Sequence, residues 1–235
     1  VGAGVVTVYQ SWLWGGSYFI EKGCHSERGN LVGVLVMEIV LHDLTFPHQD
    51  LIHAVSPGTA AHESILVAQE TTVYGQDIYG EKSLHKLLKE LCQIKGIRWI
   101  RLLYCYPEEI DDNLIQVMKE EPKICHYLDL PIQHANDTIL KRMGRRTSKQ
   151  ELIDIVQKLR KEIPDICLRT TLITGFPGET QEQHEEVMEF IDTLEFDRLG
   201  AFTYSPEEDT PAATFEDQID EEVKEDRQAD IMELQ

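Results

Sequence analysis

The chain has 235 residues, 42% of them hydrophobic and 27% charged, which is enough to bury a substantial core in one large domain or two small ones. With 22 basic against 42 acidic side chains the formal net charge is −20, which repels a phosphate backbone and sets nucleic acid aside in favour of a basic partner. Leu31 to Val40, the longest apolar run, is too short for a bilayer and carries Glu38, and Val1 to Val8 lacks the basic start of a signal peptide, so no membrane is expected and the cytoplasm is the expected location.

Residues 1–63 stand apart from the rest. They hold two of the 22 basic residues, Lys22 and Arg28, yet five of the nine histidines and two of the three tryptophans, with no sustained helix or strand period. The composition changes near Glu63. From there strands and helices alternate: strands are predicted at 64–69, 97–105, 126–132, 166–174 and 198–204, rich in Ile, Leu, Val, Thr and Tyr. Between them, Leu84, Leu87, Leu88 and Leu91 form one apolar helical stripe, and Val187, Phe190, Ile191 and Leu194 another. Ser148 with Glu151, and Thr180 with Gln183, have the spacing of capping boxes. Strands separated by helices pair in parallel through right-handed crossovers, giving an α/β fold with a curved sheet or partial barrel.

Ligands in such folds bind beyond the carboxyl ends of the strands. Four polar or glycine-bearing strand ends are expected there: Gln69-Glu70, Gln133-His134, Gly175 to Glu179, and Tyr204-Ser205. The third is the most distinctive. A β-branched run from Arg169 to Thr174 breaks into Gly175-Phe-Pro177-Gly178-Glu179, where two residues without Cβ and one proline make a turn expected to present bare amides to a ligand. A tight structural turn is the alternative. Arg169 is read either as a fork for a ligand carboxylate or as a strand residue paired with a neighbouring acid. Arg145 and Arg146 after Gly144 are read as contacts to an acidic group or as partners of a helix dipole. The acidic stretch Glu207 to Asp226 is read as a solvated helix face.

Five cysteines, Cys24, Cys92, Cys105, Cys125 and Cys167, form no disulfide spacing, and all but Cys24 lie inside apolar helix or strand patterns, where Cys behaves as a small hydrophobe.

Four segments taken together resemble one family: Ile65 to Gly75; Tyr127 to Ala135 with Met143 to Thr147; Arg169 to Thr180; and Phe196 to Pro206 with Asp209 to Ala213. The resemblance is to the radical S-adenosylmethionine methylthiotransferases, most closely the RimO type, over about residues 64–235. It implies a partial (βα)6 radical-SAM barrel, a 4Fe-4S cluster and S-adenosylmethionine as cofactors, and a transfer of a methylthio group to an aspartate of a basic small-subunit ribosomal protein, with electrons from a separate donor. By the same resemblance Gln69, Gln133, His134, Arg169, Gly175, Pro177, Gly178 and Glu179 would bind the cofactor. The related MiaB type acts on transfer RNA and is the alternative within the family; a non-catalytic truncated barrel serving as a binding module is the alternative outside it.

The family's first strand leads into C-x-x-x-C-x-x-C, whose thiolates hold the cluster. Here Tyr18 to Cys24 resembles the end of that strand and Cys24 the first ligand, but the next two positions are Arg28 and Leu31, neither of which binds iron through sulfur. The chain as written is therefore expected to be inactive. The readings are an overwritten or misframed segment, a cluster-free relative, or a different metal site built from His25, His42, His48, His53 and His62. The expected organisation is an atypical segment at 1–63, a barrel at 64–213, and an acidic helical linker at 214–235, with no TRAM-type domain after it.

Overall fold

A computed structural model describes the backbone of residues 20–25, 34–40 and 61–235, with side chains from Glu63 onward. The chain divides after Leu128 into two compact units.

In the first unit, strand β1 (Ile20–His25) pairs antiparallel with β2 (Val34–Val40), and β2 pairs parallel with β3 (Ala61–Val67). Strand β3 pairs in parallel with β4 (Trp99–Leu102), which pairs with β5 (Ile124–Gln133) through Ile100↔Ile124 and Leu102↔Leu128. The segment expected to be the barrel's first strand therefore includes β1, yet β1 runs antiparallel, and the parallel neighbour of β3 is β2. Helix α1 (Gln76–Tyr79) is a single turn between Gly75 and Gly80. Helix α2 (Leu84–Cys92) buries Leu84, Leu87, Leu88 and Leu91, the whole of its predicted stripe. Helix α3 (Asp112–Glu120) starts where the Asp111 side chain accepts from the Leu114 amide, and it buries Leu114, Ile115, Val117 and Met118.

The second unit runs from Asp129 to Gln235. Helix α4 (Asp137–Arg142) is capped by Asn136, and α5 (Lys149–Glu162) by the predicted Ser148–Glu151 box. Strand β6 (Cys167–Thr174) alternates between buried and half-buried residues, and it pairs parallel with β7 (Arg198–Thr203) in the register Arg169↔Arg198, Thr171↔Gly200 and Ile173↔Phe202. Its buried face, Leu168, Thr170, Leu172 and Thr174, lies in the core. Helix α6 (Gln181–Leu194) opens on the predicted Thr180–Gln183 box and buries Val187, Phe190, Ile191 and Leu194.

Helix α7 (Glu221–Leu234) begins within the stretch read as a solvated face, yet one side of it is buried. It packs against β6, β7 and α6 and buries Lys224, Arg227 and Ile231, which share one face at i, i+3 and i+7. The only basic residues after Glu207 are therefore the ones turned inward.

Candidate functional site

The second unit brings His134 to the turn from Gly175 to Glu179, while Arg169 and Gln133 have other surroundings. The turn has the expected backbone, with Gly175 at φ 68° and Gly178 at φ 80°. Its amides, however, are not bare. Glu179 folds back so that Oε2 accepts from Gly175 N at 2.7 Å and Phe176 N at 3.2 Å. Gly178 N donates to the Asp217 carbonyl at 2.8 Å, and Glu179 N to the Phe176 carbonyl at 2.9 Å. The space beside the glycines is also filled from within. A Cβ on Gly175 would lie 2.2 Å from Lys224 Cγ, and one on Gly178 would lie 2.3 Å from Asp217 Oδ2 and 2.5 Å from Arg142 Nη1. These glycines are required by the chain's own packing, because the segment downstream of β7 closes over the turn.

Glu179 is the centre of that closure. Its carboxylate is buried, and Oε1 accepts from Arg227 Nη1 at 3.0 Å. His134, also buried, accepts the Asn136 amide at Nδ1, so its ring proton sits on Nε2, which points at Glu179 Oε2 from 3.7 Å. His184 lies on the other side, with Nδ1 at 4.0 Å from Glu179 Oε1 and Nε2 at 3.2 Å from Asp230. Burial pushes Glu179 up, but His134, Arg227 and the Gly175 amide outweigh it and hold the carboxyl below its ordinary range. Lys224 completes the clamp, donating to the Tyr204 carbonyl at 3.0 Å beneath the Tyr204 ring while its own carbonyl accepts from Thr174 Oγ1.

Arg169 faces a different way. It lies on the half-buried face of β6, where Nη1 donates to Asp129 Oδ1 and, at 3.1 Å, to Thr171 Oγ1. Asp129 is buried, so the guanidinium is fixed from behind. Gln133 ends β5 at φ 72°, a left-handed conformation for a residue with a side chain. Arg145 donates to the Pro131 carbonyl at 2.7 Å and braces β5, and Arg146 is exposed. Tyr204 packs edge-on against Phe176.

In the first unit Gln69 is exposed just past β3. Glu70 accepts from Thr72 N at 2.8 Å, from the Thr72 hydroxyl and from Tyr106 N at 2.9 Å; burial nonetheless raises its carboxyl above the ordinary range. It serves the local loop. Cys24 falls in β1, where no side chain is described, and Arg28, Leu31, His42, His48 and His53 lie outside the described residues. Among the described residues no three His, Cys, Asp or Glu side chains are grouped to hold a metal ion. Burial pushes the Cys92 thiol up to about 11 and raises Cys125 as well, which keeps both protonated.

The predicted residues omitted Lys224, Arg227 and His184. His184 was within reach of the pattern, since it precedes Val187, Ile191 and Leu194 on the same helical stripe.

Residues 60–191 match the model of the Radical SAM superfamily. A protein described as ribosomal protein uS12 methylthiotransferase RimO from Lachnoclostridium phytofermentans is 66% identical over 173 residues, 74% of this chain and 39% of that protein. Proteins of the same description from Clostridium perfringens and Desulfitobacterium hafniense are 59% and 58% identical over the same length. The chain thus spans about two fifths of the length of the curated relatives it matches. Among solved structures, methylornithine synthase (PylB) superposes with a TM-score of 0.54 at 18% identity, covering 80% of this chain and 51% of that one. The archaeal Elp3 of Methanocaldococcus infernus does so with 0.52 at 14% identity, covering 85% and 52%. Both likenesses are of fold, and they bear out the α/β partial barrel expected from the sequence. No helix among the described residues is long and apolar enough to cross a membrane. With more than half of its length matched by the superfamily model, the chain belongs to the radical SAM superfamily.

Proposed function

We propose that this chain is the S-adenosylmethionine-binding core of a methylthiotransferase of the RimO type, whose acceptor is an aspartate of ribosomal protein uS12. The observation that carries this reading is the 66% identity, over 173 residues and 74% of this chain, to a protein of that description. The net charge of −20 supports a basic protein acceptor over transfer RNA. The cytoplasm and a separate electron donor follow from the same reading.

The residues divide into two roles. Arg169, fixed by Asp129, is the proposed contact to S-adenosylmethionine, with Gln133 and Gln69 as further candidates. Gly175, Pro177, Gly178, Glu179 and His134 act behind them and set the course of the backbone beyond β6. A 4Fe-4S cluster, when bound, would supply the electron for reductive cleavage of S-adenosylmethionine. With Arg28 and Leu31 at two of its three ligand positions, no step through a cluster is assigned to this chain. That substitution favours a second reading, a non-catalytic binding module that retains the cofactor site.

The test is a chimera in which residues 64–235 of this chain replace the corresponding segment of the Lachnoclostridium relative. Methylthiolation of the uS12 aspartate, followed by mass spectrometry, is the expected result. A folded chimera that binds S-adenosylmethionine but leaves uS12 unmodified overturns the assignment, and modification of transfer RNA instead moves it to the MiaB type.

A further inference from the structure

We infer that Arg145 is a positioning residue: it locks a strained turn at Gln133 and so fixes the Gln133 side chain, at the end of β5, for ligand binding. The inference rests on the proposed function for its ligand, S-adenosylmethionine, and adds to it a residue that acts through Gln133. Strand β5 does not run out as plain extended chain. Gln133 has φ 72°, and across it the His134 amide donates to the Ile132 carbonyl at 2.9 Å. A bond that spans one residue of positive φ is the rare, strained form of γ-turn. Glutamine has no intrinsic preference for that backbone, which persists only where the surroundings over-determine it.

Two anchors flank Gln133. After it, His134 Nδ1 accepts the Asn136 amide at 2.9 Å, and Asn136 is tied to α6, donating to Glu186 Oε2 at 2.6 Å and accepting from Gln183 Nε2 at 3.2 Å. Before it, the Pro131 carbonyl accepts from Arg145 Nη2 at 2.7 Å, a bond strengthened by the charge on its donor. Local sequence delivers Arg145 to that carbonyl. The six-residue helix α4 ends with Gly144 N donating to the Lys141 carbonyl at 3.1 Å and Arg145 N to the Leu140 carbonyl at 2.9 Å, with Gly144 at φ 76°. This is a Schellman end, which reverses the chain. A Cβ on Gly144 would meet nothing within 4 Å, so the backbone alone requires this glycine. Without the Arg145 bond, the segment from Ile132 to His134 can relax toward extended backbone, and Gln133 loses its fixed place.

The test makes two measurements on the full chain. In amide hydrogen exchange, Arg145→Met should speed exchange at His134 by about tenfold, the worth of one hydrogen bond, and leave the amides of β6 unchanged. Arg145→Lys keeps a donor and should stay closer to wild type. In calorimetric titration with S-adenosylmethionine, Arg145→Met and Gln133→Ala should each weaken binding by about threefold to tenfold. The double variant should bind no more weakly than Gln133→Ala alone, whereas a merely structural Arg145 would weaken binding equally in both backgrounds. Unchanged exchange at His134, a Gln133→Ala chain that binds like wild type, or additive losses in the double variant each overturn the positioning role while the cofactor reading stands. If the wild-type chain does not bind S-adenosylmethionine, both fail.

Discussion

Arg227 donates through a single nitrogen, Nη1, to both Oε1 and the main-chain oxygen of Glu179, at 3.0 and 3.1 Å, and both side chains are buried. The two residues lie 48 positions apart and join α7 to the turn that follows β6. The same carboxylate holds the Gly175 and Phe176 amides, so one acidic side chain organises a loop, a helix start and a distant helix at once. A buried ion pair of this kind is not a source of net stability compared with an apolar contact, but leaving one member alone is costly.

Glu179→Gln is therefore expected to destabilise the second unit by about 3 kcal/mol, the lower end for a buried charge deprived of its partner. The pH dependence has a fixed sign. Because the folded carboxyl is held below its ordinary value of 4.5, its contribution is complete above that value and is lost as pH falls through the lower folded one. Urea unfolding of wild type and variant should differ most at neutral pH and converge on acidification. A gap that widens in acid would contradict the charge assignment of Glu179.

Gly175→Ala combines two costs, a left-handed backbone at φ 68° and a methyl 2.2 Å from Lys224 Cγ. The first is intrinsic, about 1 kcal/mol. The second depends on Lys224, so Lys224→Ala in the same chain should recover it. A double-mutant cycle is expected to show coupling of about 1–3 kcal/mol, as found for residues in direct contact. Additive effects would mean that α7 does not press on the turn.

Much of this fold was legible in the sequence, because stripes and caps are local. The α2 stripe from Leu84 to Leu91, the Ser148–Glu151 and Thr180–Gln183 boxes, and the strands around Arg169 and Leu199 all stand where their periodicity puts them. What could not be read was what fills the glycine turn. Gly175 and Gly178 advertise open space equally well for a ligand and for the chain itself, and the occupants, Lys224 and the Arg142–Asp217 pair, come from far along the sequence. Burial of Lys224 and Arg227 was hidden by their acidic neighbours, since Glu221, Glu222, Glu225 and Asp226 make the segment look solvated all round.

Cluster assembly is a separate test of what this chain retains. Anaerobic reconstitution with iron and sulfide should leave it without stoichiometric iron and without the visible charge-transfer absorption of a cluster, because only Cys24 of the three expected thiolates is present. Arg28→Cys with Leu31→Cys should restore both signals. A full cluster in the unmodified chain would show that other ligands have replaced the missing pair.

The remaining cysteines provide a further check on the packing of the first unit. Cys92 ends α2 at 6% exposure, and burial with the nearby Glu121 carboxylate pushes its thiol up to about 11. Alkylation needs the thiolate, so at pH 8 only about one part in a thousand of the folded form is competent, and the thiol is also shielded from reagent. Iodoacetamide is expected to leave Cys92 unmodified in the folded chain and to label it fully in urea, read by peptide mass spectrometry. The linkage works against the fold in alkali: the contribution is complete below the ordinary value of 9.0 and is lost as pH rises toward 11, since the unfolded chain releases its proton first. Rapid labelling of Cys92 at pH 8 without denaturant would show that α2 readily lifts its buried Leu87, Leu88 and Leu91 out of the core.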